Sequence, residues 1–171
     1  MKRFVVGVDF GTDSARAVLI DGRTGEWVAE AVARYKRWAQ GLYQDGTKRM
    51  FRQHPKDYME ALTECVQGCV AELDVQQRAQ IAAIAVDTTG STPCPVDRSG
   101  VPLALMAEFE DNPNAMFHLW KDHTAILEAE AITTQFRQSP VADYTRYQGD
   151  YASEWFWAKV WHTVREDQAV R

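Results

Sequence analysis

The chain has 171 residues, enough for one domain, or one domain and part of a second, at roughly 150 residues per domain. With 19 Lys and Arg against 24 Asp and Glu the net charge is −5, and the basic residues are scattered, which argues against a phosphate-backbone binder. A hydrophobic fraction of 46% with 25% charged residues is ordinary for a globular protein, and no apolar run approaches the ~18 residues of a membrane span, so neither nucleic acid nor a bilayer is expected as a partner.

The opening stretch from Met1 meets Asp9 too early to form the apolar core of a signal peptide. Three cysteines without a secretion signal predict reduced thiols in a cytoplasmic protein.

Arg3 to Asp9 reads as a buried strand rich in Val and Phe, followed by the turn Asp9-Phe10-Gly11-Thr12-Asp13-Ser14. Ala15 to Ile20 is a second strand closed by Asp21-Gly22-Arg23-Thr24-Gly25, and a third runs from about Glu26 to Tyr35. These three predict an antiparallel meander. From Pro55, the positions Tyr58, Ala61, Leu62, Cys65, Val66, Cys69, Val70 and Leu73 carry helical spacing and predict a long amphipathic helix. Proline suits its first position, where the missing N–H costs nothing.

Ile81 to Val86 is a continuous apolar run, the composition of a strand buried on both faces, and is expected at the centre of a mixed sheet reached by the helical crossover. Val96 to Leu103 predicts a small hairpin. Asn112-Pro113-Asn114 is a helix start signal, after which Met116, Leu119, Trp120, His123, Ile126 and Leu127 form a helical stripe. A last helix, from about Ser153 to Glu166, carries Trp155, Phe156, Trp157 and Trp161, more aromatic surface than one packed face uses, and so points to an interface.

Three stretches could carry chemistry. In Asp9 to Ser14, Gly11 allows close backbone approach, Thr12 and Ser14 offer hydroxyls and N–H groups to a phosphate, and Asp9 at the strand end could hold Mg²⁺ through its water shell; a plain turn uses the same residue types. Asp87-Thr88-Thr89-Gly90-Ser91-Thr92-Pro93 follows the expected central strand, where ligands collect in open α/β sheets, although Ser and Thr also satisfy turns. In Trp120-Lys121-Asp122-His123 an aromatic ring beside polar groups can stack on a sugar while binding its hydroxyls, yet a Trp on a helical stripe is more often core. Cys65 and Cys69 fall on the apolar stripe and read as buried thiols rather than zinc ligands, and His118 and His123 do not form a metal pair. Arg34 to Trp38 reads as a solvated strand end.

Taken in order, Asp9 to Ser14, Gly41-Leu42-Tyr43, Phe51 to Pro55, Asp87 to Pro93, Asn112 to Met116, Leu119 to Ala125 and Ser153 to Lys159 resemble the FGGY carbohydrate kinases, and among them the ribulokinase branch. The resemblance covers nearly the whole chain. It implies an α/β fold of the ribonuclease-H-like, actin-like ATPase type, with a mixed five-stranded-type sheet and flanking helices, of which residues 1–171 form the N-terminal part of the sugar-binding domain. It implies transfer of the ATP γ-phosphate to the 5-hydroxyl of a ketopentose, in pentose catabolism. Asp9, Gly11, Thr12, Asp13 and Ser14 would then face the ATP phosphates, with Asp9 toward Mg²⁺. Thr89, Gly90, Ser91, Thr92, Trp120, Lys121, Asp122 and His123 would line the ketose pocket. Members of the family are longer, and the Asp base and the second phosphate loop are expected beyond residue 171, in the remainder of the same chain; a homo-oligomer is compatible with this reading. Another kinase of the family, for xylulose, and a non-catalytic sugar- or nucleotide-binding module with the same half-fold are the alternatives.

Overall fold

The computed structural model describes residues 3–171; Met1 and Lys2, and with them the start of the stretch weighed as a signal peptide, lie outside. In chain order the elements are β1 (Phe4–Phe10), β2 (Ser14–Asp21), β3 (Trp27–Arg34), α1 (Lys36–Ala39), β4 (Gln44–Asp45), β5 (Met50–Gln53), α2 (Pro55–Cys69), α3 (Val75–Arg78), β6 (Ile81–Thr88), β7 (Phe117–His118), α4 (Ile126–Arg137), α5 (Thr145–Gln148) and α6 (Phe156–Glu166). They divide into two units, one of residues 3–42 and 56–89, the other of residues 43–55 and 90–171.

The first unit is a four-stranded mixed sheet in the order β3-β2-β1-β6, antiparallel through β3, β2 and β1 and parallel between β1 and β6. The predicted meander is present because short Gly- and Asp-bearing turns join strands whose alternate residues are apolar. Phe4, Val6, Val8 and Phe10 of β1 and Ala15, Ala17 and Leu19 of β2 are buried on one face. Helix α2 begins at Pro55 and buries Tyr58, Ala61, Cys65 and Cys69, as its spacing predicts. Phe10, Tyr58 and Tyr35 form a stack, with ring centroids 5.2 and 5.0 Å apart. Gly68 lets the helix lie close on β3: a Cβ there would stand 2.9 Å from that of Ala31.

Among the described residues strand β6 stands at the edge of the four strands, where the sequence predicts a central one, and Ile84 and Val86 are 54% and 62% exposed. An apolar run predicts cover, but among the described residues β6 pairs only with β1. The Arg34 to Trp38 stretch is not a solvated strand end either. Tyr35 is fully buried, and Arg37 donates from Nη1 to Asp57 (2.8 Å) and from Nη2 to Glu60 (3.1 Å).

In the second unit β4, β5 and β7 form a small antiparallel sheet. The hairpin predicted at Val96 to Leu103 is reduced to one bridge, Val96 to Pro102, around a turn at Gly100. Helices α4 and α6 meet through Ala125, Ala129 and Ala158, small side chains that allow close approach, with Ile132 and Tyr151 packed against them.

The helical stripe expected from Met116 to Leu127 is the clearest miss. Asn112 does cap a turn, accepting from the N–H of Asn114, but that turn is a single 3₁₀ turn at Pro113–Ala115. The chain then runs alongside β5: the N–H groups of Leu119 and His123 donate to the carbonyls of Phe51 and Arg49. Helix α4 begins only at Ile126. Asp122 offers the backbone a side-chain partner that competes with helical bonds, accepting from the N–H groups of Phe51 and Thr124, and strand pairing takes the rest.

Candidate functional site

At the carboxyl end of β1 the backbone closes a tight turn in which the Gly11 N–H donates to the Ser14 carbonyl at 2.9 Å. A Cβ on Gly11 would stand 3.3 Å from that carbonyl oxygen, so glycine suits the turn for its small size. Ser14 Oγ donates to Asp13 Oδ1 at 2.9 Å, and the Asp13 carbonyl accepts the Tyr35 N–H, which ties the turn to the end of β3. Asp9 is exposed. Its register partners are Arg16 on β2 and Asp87 on β6, so a cation and two carboxylates lie in a row across three strands, at the carboxyl ends of the parallel pair. These three side chains, with Gly7, Val18 and Ala85, line an open groove of about 270 Å³. Oxygen donors at a strand end, facing open space, are a donor set that suits a hydrated Mg²⁺ ion. Thr89 follows β6 and is half-buried.

In the second unit, Gly90 and Ser91 are exposed, and Thr92 donates from Oγ1 to the Gly90 carbonyl at 3.3 Å. Ser91 is one of three non-glycine residues with positive φ among the described residues, at 53°, a conformation that costs free energy for a residue bearing a Cβ. Gly90, by contrast, has an ordinary φ. Trp120 is 47% exposed, so its ring is not part of the core among the described residues. Lys121 extends its Nζ over the Phe51 ring, 4.5 Å from the centroid. His123 Nδ1 lies 2.9 Å from Ser153 Oγ and 3.4 Å from Glu154 Oε2.

Asp122 departs from expectation. It is fully buried, and both of its oxygens are engaged twice: Oδ2 accepts from the Phe51 N–H and from Arg52 Nε, each at 2.8 Å, and Oδ1 accepts from the N–H and the hydroxyl of Thr124. A carboxylate has about four lone-pair sites, so nothing is left for a sugar hydroxyl. Asp122 holds the segment rather than facing a ligand. Burial by itself would raise its carboxyl; the Arg52 guanidinium, followed by the Thr124 hydroxyl and the two N–H groups, keeps it below the usual range.

The sequence reading gave Arg52 no part of its own. Almost wholly buried, it also donates from Nη2 to Thr124 Oγ1 at 3.0 Å, while Nη1 lies against the His118 ring. Burial, and then Arg52, push the His118 imidazole well below its ordinary value, so it is neutral. Lys159 was also missed as a site residue. It is 1% exposed, lines a cavity of about 200 Å³ with Pro93, Cys94, His118, Phe156 and Thr163, and burial lowers its ammonium to about 8. The available signal was a lysine on the helix face that also carries Ala158 and Thr163.

Cys94 is a free thiol pushed up to about 12 by burial, and Cys65 and Cys69 are free and buried. Glu128, His162 and Glu166 bring ligand atoms within 4.8 Å of one another. Arg165 Nη2 already lies 3.1 Å from Glu128 and 3.2 Å from Glu166, so the cluster carries its own counter-charge.

Comparison with solved structures shows the fold first. The chain superposes with a TM-score of 0.72 on a xyloylose kinase from Brucella ovis (17% identity), and 0.69 on the xylulose kinase from Bifidobacterium adolescentis (19% identity), covering 98% and 99% of this chain and 30% of each of those. At such identities the likeness shows the fold alone, the actin-like α/β fold of sugar kinases. Residues 4–148 match the N-terminal domain of the FGGY family of carbohydrate kinases, and the chain belongs to that family. It is 45% identical over 172 residues to a ribulokinase from Vibrio parahaemolyticus and 38% identical over 173 residues to one from Halalkalibacterium halodurans, across 99% and 98% of its length. It spans about 30% of the length of those curated relatives.

Proposed function

We propose that these residues form the N-terminal part of the sugar-binding domain of an ATP-dependent ribulokinase, which transfers the γ-phosphate to the 5-hydroxyl of a ketopentose. The observation that carries the reading is 45% identity to a ribulokinase over 99% of the chain. The geometry supports it: a tight Gly turn follows β1, Asp9 is exposed at a strand end, and Trp120 presents its ring to solvent beside a lysine and a histidine.

In this reading the turn from Gly11 to Ser14, with Thr12 and Asp13, faces the ATP phosphates. Asp9 holds Mg²⁺ through its water shell, with Asp87 beside it in register. The metal supplies neutralisation of charge on the transferring phosphoryl group. Thr89, Gly90, Ser91 and Thr92 form one wall of the ketose site, and Trp120, Lys121 and His123 offer a stacking face, a donor and a titratable ring to the sugar. The carboxylate that accepts the hydroxyl proton is supplied by the rest of the kinase chain. No helix among the described residues is long and apolar enough to cross a membrane, and a cytoplasmic setting is part of the proposal.

The test is the full-length protein assayed with Mg²⁺-ATP against a panel of pentuloses, with ADP release and the position of the new phosphate ester as readouts. Ribulose turned over with the highest kcat/KM and phosphorylated at its 5-position is the expected result. Preference for xylulose, or sugar binding without ADP release, would replace the reading with another member of the family or with a binding module.

A further inference from the structure

Ser91 and the stretch just before Trp120 are joined by one side chain from α6. The Lys159 ammonium donates to the Ser91 carbonyl at 2.7 Å, to the Leu119 carbonyl at 2.8 Å and to the His118 carbonyl at 3.3 Å. A lysine ammonium has three N–H donors and no acceptor, so three carbonyls satisfy it fully. Its own backbone is fixed as well, since Thr163 Oγ1 donates to the Lys159 carbonyl at 2.9 Å and Ala158 sits in the alanine contact with α4.

The Ser91 backbone is the strained element here. At φ 53° a serine adopts a conformation that glycine would take without penalty, and such residues persist only where their surroundings hold them. Its side chain is exposed while its carbonyl points inward to the cage. Burying an ammonium is costly, and an apolar side chain could fill the same volume, so the charge serves something beyond packing.

We propose that Lys159 is a positioning residue for the sugar site: by holding the carbonyls of Ser91, His118 and Leu119 together it fixes the left-handed backbone at Ser91 and the setting of Trp120. The inference rests on the ketose-site reading given above. Lys159 touches no sugar; it acts through the backbone of the two segments that do. The lowering of its ammonium to about 8 agrees with a charge held away from water, near Arg52 and offset by Asp122 and Glu154.

The experiment uses the full-length protein and measures KM for ribulose and for ATP separately. Lys159→Gln removes the charge while keeping N–H donors in the cage. It is expected to raise the ribulose KM by about tenfold, the effect of losing one charge-assisted hydrogen bond, and to leave the ATP KM within about twofold. A ribulose KM that stays put while the melting temperature falls overturns the inference, since that is the result of a purely structural lysine; so does an equal rise in both KM values.

Ser91→Val and Ser91→Ala reach the same loop from its exposed side, so they report even if Lys159→Gln does not fold. Both lose the hydroxyl, but a β-branched residue is far less at ease at positive φ. Ser91→Val is expected to weaken ribulose several-fold more than Ser91→Ala does, and equal effects overturn the inference. The wild-type protein separates the two readings: no transfer to any pentulose sinks the functional reading and this inference together, whereas transfer with unaffected variants sinks only the inference.

Discussion

The Arg52–Asp122 pair supplies the sharpest energetic test. Both groups are almost wholly buried, and the Nε to Oδ2 separation is 2.8 Å. Removing either partner strands the other charge, which typically costs about 3–5 kcal/mol, much of it the desolvation penalty of the group left behind. For a domain of about 150–250 residues each kcal/mol moves Tm by about 2–4 °C, so Arg52→Met and Asp122→Ala should each lower it by about 6–20 °C. The double variant leaves neither charge uncompensated. It should therefore cost less than the sum of the singles, with an interaction of about 2–3 kcal/mol. Urea unfolding of wild type, both singles and the double, followed by circular dichroism, measures the cycle. Additivity within about 0.5 kcal/mol would show that the two charges are not coupled, and the account of Asp122 as a buried structural anion would fall.

In the full-length protein, Asp9→Asn should lower kcat more than it raises the sugar KM, because it removes charge from Mg²⁺ placement at nearly constant volume; an unchanged kcat at saturating Mg²⁺-ATP removes Asp9 from the site. Trp120→Phe, at a half-exposed position, should leave Tm within a few degrees and weaken ribulose, and Lys121→Met should raise the ribulose KM with the ATP KM unchanged; loss of stability with intact sugar kinetics contradicts both. Asp21 accepts from Arg3 Nε at 2.6 Å and from the Arg23 N–H, which hold its carboxyl below the ordinary 3.8. A depressed carboxyl stabilises the fold above 3.8 and loses that contribution as pH falls through its folded value, so Asp21→Asn should flatten the acid limb of a stability profile below about pH 4, and an unaltered limb refutes the assignment.

Local chemistry decided much of the first unit. Alternating apolar residues, turns bearing Gly and Asp, and an apolar stripe opened by Pro55 specify meander and helix through interactions spanning a few residues, and structure and sequence agree there. The Asp9 to Ser14 turn was legible for the same reason. For strand β6 the apolar run records how a strand is to be covered, whereas its neighbours in the sheet depend on which strands pair beside it.

The stretch from Met116 to Leu127 fails differently. Its apolar spacing fits a helix, yet the N–H groups of Leu119 and His123 go to the carbonyls of Phe51 and Arg49, 68 and 74 residues earlier in the chain, and Asp122 is neutralised by Arg52 from the same distant segment. No periodicity reports such a partner. Which polar residues face solvent is settled in the same way: Trp120 and Asp122 are two positions apart in the sequence, but one is half-exposed and the other sealed. The Lys159 cage draws on carbonyls forty and sixty-eight residues away. Backbone carbonyls are identical at every position, so only the tertiary fold could select these three, whereas the side-chain pattern of a strand or helix is written in the residues themselves.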